Sequence, residues 1–287
     1  MSVNQISDID RIAYNEEFKL DYERTTSLLK KCVRSDGLQH AGTIKWDVVD
    51  PSEEAQQRTR DGEIPIAQLG LGQVTGTPQE DFGGKYKIDN FDAYRTNSNV
   101  RAMQMAKAAA ACHRKKDSVI ITQLDAATQT LDSGSAVDFT DYGVLLDWIA
   151  TLENNDIPTD DGKVWGVVTP KALRAMMKIP QFTSRDYVEV RKLENGLPSQ
   201  GYYRFAGVNW FSHTGLTGKG TATATCHLFH ESAIGHQDAG EPDYHTYYFE
   251  PQHRWENFAV IMHCAKLCLP RGVVKATSDD TVSLAAA

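Results

Sequence analysis

IDNFDAYRTNSNVRAMQMAKAAAACHRKKDSVII, residues 88–121, carries the strongest local signal in the chain. From Val100 to Lys116 it is dominated by Ala, Met, Gln, Lys and Arg, which lose little on entering a helix, so it predicts a rod about 25 Å long. His113, Arg114, Lys115 and Lys116 put cations where the helix dipole is negative, while Asp89 and Asp92 precede the rod, where carboxylates suit the positive end. The β-branched run that follows, Ser118 to Thr122, reads as a strand.

On the N-terminal side, Ile44, Trp46 and Val48 alternate with polar residues as a strand does. A highly polar stretch (SEEAQQRTRDGEIP) and glycines at 62, 70, 72, 76, 83 and 84 follow. Two strand-like arms around a polar tip describe a long hairpin; about fifty residues with so few large side chains are uncommon inside a compact domain and usually functional. Further upstream, Phe18, Tyr22, Leu29, Cys32 and Val33 recur at helical spacing and predict an amphipathic helix over roughly Asp8 to Ser35, ended by Asp36-Gly37.

On the C-terminal side, Thr140 is the expected cap of a helix bearing Val144, Leu145, Trp148, Ile149 and Leu152. The strand VWGVV (164–168) runs into Thr169-Pro170, a capping residue followed by proline at the first helical position, and then the helix KALRAMMKI. Beyond Pro180 strands and turns alternate, with a tyrosine-rich segment after CHLFHESAIGHQ and a closing GVVKA. The order of elements is α+β, with no repeat at a fixed period.

Composition narrows the function classes. The chain has 287 residues, 41% apolar and 24% charged, as in ordinary globular proteins. Its 38 acidic and 30 basic residues give a net charge of -8, which excludes a cationic nucleic-acid coat. The opening MSVNQISDID has no basic stretch leading into an apolar run, so no export leader is expected; nor does any window approach the roughly 20 apolar residues of a membrane span. Five cysteines, Cys32, Cys112, Cys226, Cys264 and Cys268, are an odd and scattered set, expected to be reduced thiols.

Catalytic signatures are weak. GLTGKGT (215–221) sets a lysine among glycines, but His213 stands where a phosphate loop needs glycine, and Lys219 is followed by Gly220 instead of a hydroxyl, so a turn is expected. His227, His230 and His236 lie close in sequence to Glu231 and Asp238, and with Cys264 and Cys268 they raise a metal-dependent enzyme as a second reading. Against it, residues 227 and 230 point to opposite faces of a strand, and both thiols lie in an apolar run. No Gly-x-Ser-x-Gly elbow is present, and among paired carboxylates such as Asp160-Asp161 and Asp279-Asp280 most are expected to be solvated.

The ordered series of arm, glycine-rich hairpin, IDNFDAYR motif, alanine-rich helix, Asp117-Ser118-Val119-Ile120-Ile121 and VWGVVTPKALRAMM resembles the major capsid proteins of tailed bacteriophages, which share the Hong Kong 97-type fold. The resemblance implies an N-terminal arm (1–43), an E-loop hairpin (44–88) with its tip near Arg58, Arg60 and Asp61, a spine helix in a peripheral P-domain (89–122), an axial A-domain (123–225), and return strands with a C-terminal tail (226–287). It implies no catalytic residues, cofactor or metal. Its subunits form hexamers and pentamers of an icosahedral shell enclosing double-stranded DNA without sequence-specific binding, working with a portal protein and in some members a cement protein. With the first residues retained, a separate scaffolding protein is expected in place of a cleaved N-terminal domain. Assembly is expected in the bacterial cytoplasm. Phe18, Tyr22, Leu29, Arg58, Arg60, Asp61, Asp89, Asp92 and Arg95 are the expected intersubunit contacts, and an encapsulin-like compartment is an alternative within the same fold.

Overall fold

The alanine-rich segment is a helix, and it runs well past Lys116. The computed structural model describes residues 26–37, 42–49, 60, 71–90, 100–131, 135–183 and 203–284. Ahead of the helix lie strands β1 (Arg34–Gly37), β2 (Ile44–Val49), β3 (Leu71–Gly76), β4 (Gln79–Phe82) and β5 (Tyr86–Asp89). The helix, α1, spans Val100–Asp125, and is followed by β6 (Ala136–Val137), α2 (Tyr142–Glu153), β7 (Val164–Val168) and α3 (Pro170–Met176). Next come β8 (Tyr203–Phe205), β9 (Val208–Ser212), β10 (Ala224–His230), β11 (Ile234–Asp238), β12 (Asp243–Phe249), β13 (Arg254–Leu267) and β14 (Val273–Ser278).

Ser118–Thr122 is therefore helix, not the strand expected from its β-branched residues. Ile120, Ile121 and Leu124 are all buried in one apolar cluster with Leu29, Val33, Phe211 and Phe229. Burying three large side chains outweighs the few tenths of a kcal/mol by which isoleucine disfavours a helix.

The chain divides into two units, one of residues 79–116 and 239–263 and the other of 28–78, 117–238 and 264–287. Two of the divisions fall inside α1 and inside β13. In the smaller unit β13 is the central strand. β12 pairs with it antiparallel from Asp243↔Val260 to Phe249↔Arg254, and on the other side β5 and β4 pair with it in turn. The first half of α1 packs on one face, with Ala108 and Cys112 against Ala259 and Ile261. Small helix side chains let the sheet come close: at Gly83 a Cβ would overlap the Ala108 carbonyl oxygen.

The larger unit is built on a mixed sheet in the order β6-β14-β10-β7-β9-β8. Adjacent residues face opposite ways, as the pleat requires. Trp210, Leu228 and Val274 join α2 and α3 in one core, whereas Phe211, Phe229 and Val273 join the last turns of α1 in another. Trp148 sits 5.6 Å from Trp210, ring to ring, and donates its Nε1 hydrogen to the Val274 carbonyl at 3.2 Å. Thr169 caps α3 as expected, accepting from the Ala172 amide. The cap of α2 is Asp141, one residue beyond Thr140, because Thr140 is turned back to donate to Asp138.

Two expectations on the N-terminal side are corrected. Residues 34–37 are not helix but β1, parallel to β11, with Arg34 opposite Gly235 and Gly37 opposite Asp238. Among the described residues a single 3-10 turn, Leu29–Lys31, precedes them; residues 8–25 of the expected helix lie outside the described residues. The long hairpin is real but shorter than expected. β2 and β3 form its stem, from Ile44↔Gly76 to Val49↔Leu71, whereas β4 and β5, expected as its returning arm, pair with β13.

Candidate assembly surfaces

Two segments of the larger unit, residues 28–37 and the β2–β3 stem, are held by built anchors. Leu29, Cys32 and Val33 are buried, and the Asp117 carboxylate, itself buried in α1, accepts from the Leu29 amide through Oδ1 at 3.2 Å and from the Leu28 amide through Oδ2 at 3.3 Å. A carboxylate on the free amides of a first turn satisfies donors that have no partner inside the turn. Oδ2 also lies 3.1 Å from His213 Nε2, and His213 Nδ1 accepts from the Gly215 amide. One buried acid thus ties the base of the N-terminal segment to the spine helix and to a loop after β9.

The hairpin stem is held by Trp46. Ile44 and Trp46 point inward in a cluster with Cys264 and Cys268, while Lys45 and Asp47 are exposed. The indole lies across two glycines, since a Cβ on Gly76 or Gly235 would overlap it.

The smaller unit bears an apolar face on which, among the described residues, no helix packs. Along β13, Asn257, Ala259, Ile261 and His263 are buried, whereas Phe258 and Val260 are partly exposed and Met262 is 44% exposed. Phe82, opposite Val260, is 73% exposed, and Tyr247 packs on Phe258 at 5.7 Å between ring centroids. Contiguous exposed apolar side chains of this kind mark contact surfaces. The sequence held the signal, since NFAVIMH is apolar at successive positions instead of at alternate ones, but a continuous run does not say which face is left uncovered.

Of the expected contact residues, Asp89 is an exposed end of β5 and Arg60 is exposed. Phe18, Tyr22, Arg58, Asp61, Asp92 and Arg95 lie outside the described residues. Leu29, expected at a subunit contact, is instead fully buried in the chain's own core.

The histidines do not converge. His227 Nε2 is 3.0 Å from Asp125, His230 Nε2 is 2.9 Å from Asp161, and His236 Nδ1 is 3.5 Å from the Ser35 hydroxyl. Among the described residues no three His, Cys, Asp or Glu side chains are grouped to hold a metal. GLTGKGT is a turn, with Gly218 and Gly220 at positive φ and the Gly220 amide given to Asp280. All five thiols are free and buried, and burial pushes Cys226 up to about 12.

His263 predicts an acid sensitivity. It is buried, with Nε2 2.8 Å from Asp81 Oδ2. Burial pushes it below the usual imidazole range; Asp81 opposes this through its hydrogen bond and charge, and Lys116 and Lys115 add to it. The folded state therefore favours the neutral ring. Its contribution is complete above the unfolded value near 6.5 and is lost as pH falls through that value toward the lower folded one. Melting temperature should fall between pH 7 and pH 5, and His263→Gln should flatten that slope; an equal slope in the variant would exclude His263 as its source.

A sequence profile described as phage capsid protein matches residues 9–279. The chain belongs to the phage capsid protein family. No curated protein sequence matches it. Solved structures with the same fold include a Mycobacterium phage Che8 chain, 13% identical, with 98% of this chain and 100% of that one covered at a TM-score of 0.69. The capsid of a native GTA particle is 10% identical, covering 93% and 95%, with a TM-score of 0.71. The head of Helicobacter pylori bacteriophage KHP40 is 10% identical, covering 97% and 98%, with a TM-score of 0.70. At such identities the likeness speaks for the fold alone, the Hong Kong 97-type fold of capsid shells. Together with the family it makes the chain a tailed-phage major capsid protein, structural in role.

Proposed function

We propose that this capsid protein closes into an icosahedral shell of hexamers and pentamers by burying on neighbouring copies what it leaves uncovered itself. The observation that carries this reading is the exposed apolar face of the smaller unit, with Phe82, Tyr247, Phe258, Val260 and Met262 together on one side of the sheet. Heterologous contacts repeated around a ring close into capsomers, and subunit stability then becomes inseparable from assembly. The N-terminal arm with Phe18 and Tyr22, the hairpin tip with Arg58, Arg60 and Asp61, and the segment with Asp89, Asp92 and Arg95 are the further contacts in this reading. A separate scaffolding protein and a portal are its partners in this reading, joined by a cement protein as in some members of the family, with assembly in the bacterial cytoplasm. A net charge of -8 suits a wall around double-stranded DNA, because a cationic lining would hold the genome to it.

The test is a double variant, Phe82→Glu with Met262→Glu, in the full chain expressed with its scaffolding protein. Both residues are exposed in the subunit, so its melting temperature should stay within a few degrees of wild type. Particles seen by light scattering and negative stain should disappear. Wild-type yields of shells from the double variant would remove this face from the assembly, and a wild-type chain that stays a monomer with its scaffold would overturn the shell itself.

A further inference from the structure

We infer that strand β12 pairs antiparallel with the same strand of a second copy, across a two-fold axis at Thr246. The inference rests on the shell reading and adds a specific contact between copies.

β12 is the terminal strand of its sheet and, among the described residues, pairs with β13 alone, through seven consecutive residue pairs. The opposite edge of the same sheet carries the usual protections against stray pairing. β4 and β5 are four residues each, they are interrupted at Gly83-Gly84, and they bear Glu80, Asp81, Lys87 and Asp89. β12, DYHTYYF, is longer and has no lysine, no proline and no break, and its one charged residue, Asp243, stands at its end. It exposes aromatic rings on both of its faces, Tyr247 at 56% on one and Tyr244 at 51% on the other. A strand with rings on both faces has the composition of a sheet interior placed at an edge that no other described strand covers.

The choice of a second copy comes from the order of these residues. Centred on Thr246, antiparallel self-pairing sets Tyr244 against Tyr248 and His245 against Tyr247, twice each. Aromatic residues directly opposite one another are favourable cross-strand pairs. His245 and Tyr247 already lie with rings parallel to 3° within one strand. At the ends Asp243 falls opposite Phe249, whose ring carries the Arg254 guanidinium 5.2 Å from its centroid, so no two acids are directly opposed and a cation is near each Asp243. Such a contact is isologous, the same patch on both copies, as a two-fold requires.

Thr246→Cys in the full chain tests it. Residues directly opposite in antiparallel strands have Cα atoms about 4.5 or 5.5 Å apart, inside the range of about 4.4–6.8 Å that a disulfide bridges. Mild oxidation of assembled Thr246→Cys shells should convert most subunits to a covalent dimer, and oxidation of unassembled subunits should not. Tyr244→Cys alone should stay monomeric, while Tyr244→Cys with Tyr248→Cys should crosslink. Shells of Thr246→Cys that remain monomeric on oxidation overturn the pairing and leave the shell reading intact. If that variant fails to assemble, hydrogen exchange on the wild-type chain decides: the alternate β12 amides pointing away from β13 should slow at least tenfold on assembly, and unchanged exchange overturns the pairing. A wild-type chain that forms no shell at all overturns both readings.

Discussion

Replacing Trp46 with alanine is expected to destabilise the larger unit by about 3–5 kcal/mol, the range for deleting a buried tryptophan whose cavity cannot collapse. Collapse is restricted here because two faces of the indole lie on the backbones of Gly76 and Gly235, which carry no side chain to move into the space, and the small thiols of Cys264 and Cys268 fill little of it. The loss is borne by the hairpin stem. β2 and β3 pair with each other in a two-stranded sheet, and such a ribbon is marginal without packing. Chemical denaturation of the unassembled chain should show the midpoint shift, and amide exchange should show the stem opening before the sheet of the larger unit. A Trp46→Ala variant with a wild-type midpoint and a protected stem would mean that the hairpin is held from elsewhere.

Asp117→Ala should be nearly as damaging, by about 3–5 kcal/mol, for a different reason. Removing one member of a buried polar pair leaves the rest in place without partners. Here the orphans are the Leu28 and Leu29 amides and His213 Nε2. Unsatisfied buried groups cost about 1–3 kcal/mol apiece, so three of them reach the stated range even after partial relaxation. Asp117→Asn keeps an acceptor and should lose less. The distinguishing readout is local: proteolysis should cut within residues 26–37 in Asp117→Ala before the globular part melts. Equal resistance of that segment in variant and wild type would show that Asp117 does not hold it.

How far the sequence could be read follows from how local each determinant is. The alanine-rich half of α1, the Thr169-Pro170 start of α3 and the two arms of the hairpin are written in neighbouring residues and were legible. The continuation of α1 through Ile120 and Ile121 was not, because the decision is made by Leu29, Phe211 and Phe229, which the sequence places far away. The same holds for residues 34–37, whose strand exists because β11 offers an edge. In the sequence β4 and β5 read as the return of the hairpin, because their partner, β13, lies about 180 residues later in the chain. The candidate surface was half legible. The tyrosine-rich segment stands out, but that β12 is the terminal described strand of its sheet, and that the exposed Phe82 and Met262 share one face, are facts of pairing and register.

The five buried cysteines acquire another meaning in a particle. Copies fixed side by side hold their surfaces at an effective concentration far above that of a free solution, and a solvent-facing sulfur would sooner or later meet its own twin. With every thiol enclosed and its thiolate suppressed by burial, the chain offers neighbouring copies no sulfur to exchange. A misplaced subunit is therefore not trapped by a disulfide to its neighbour.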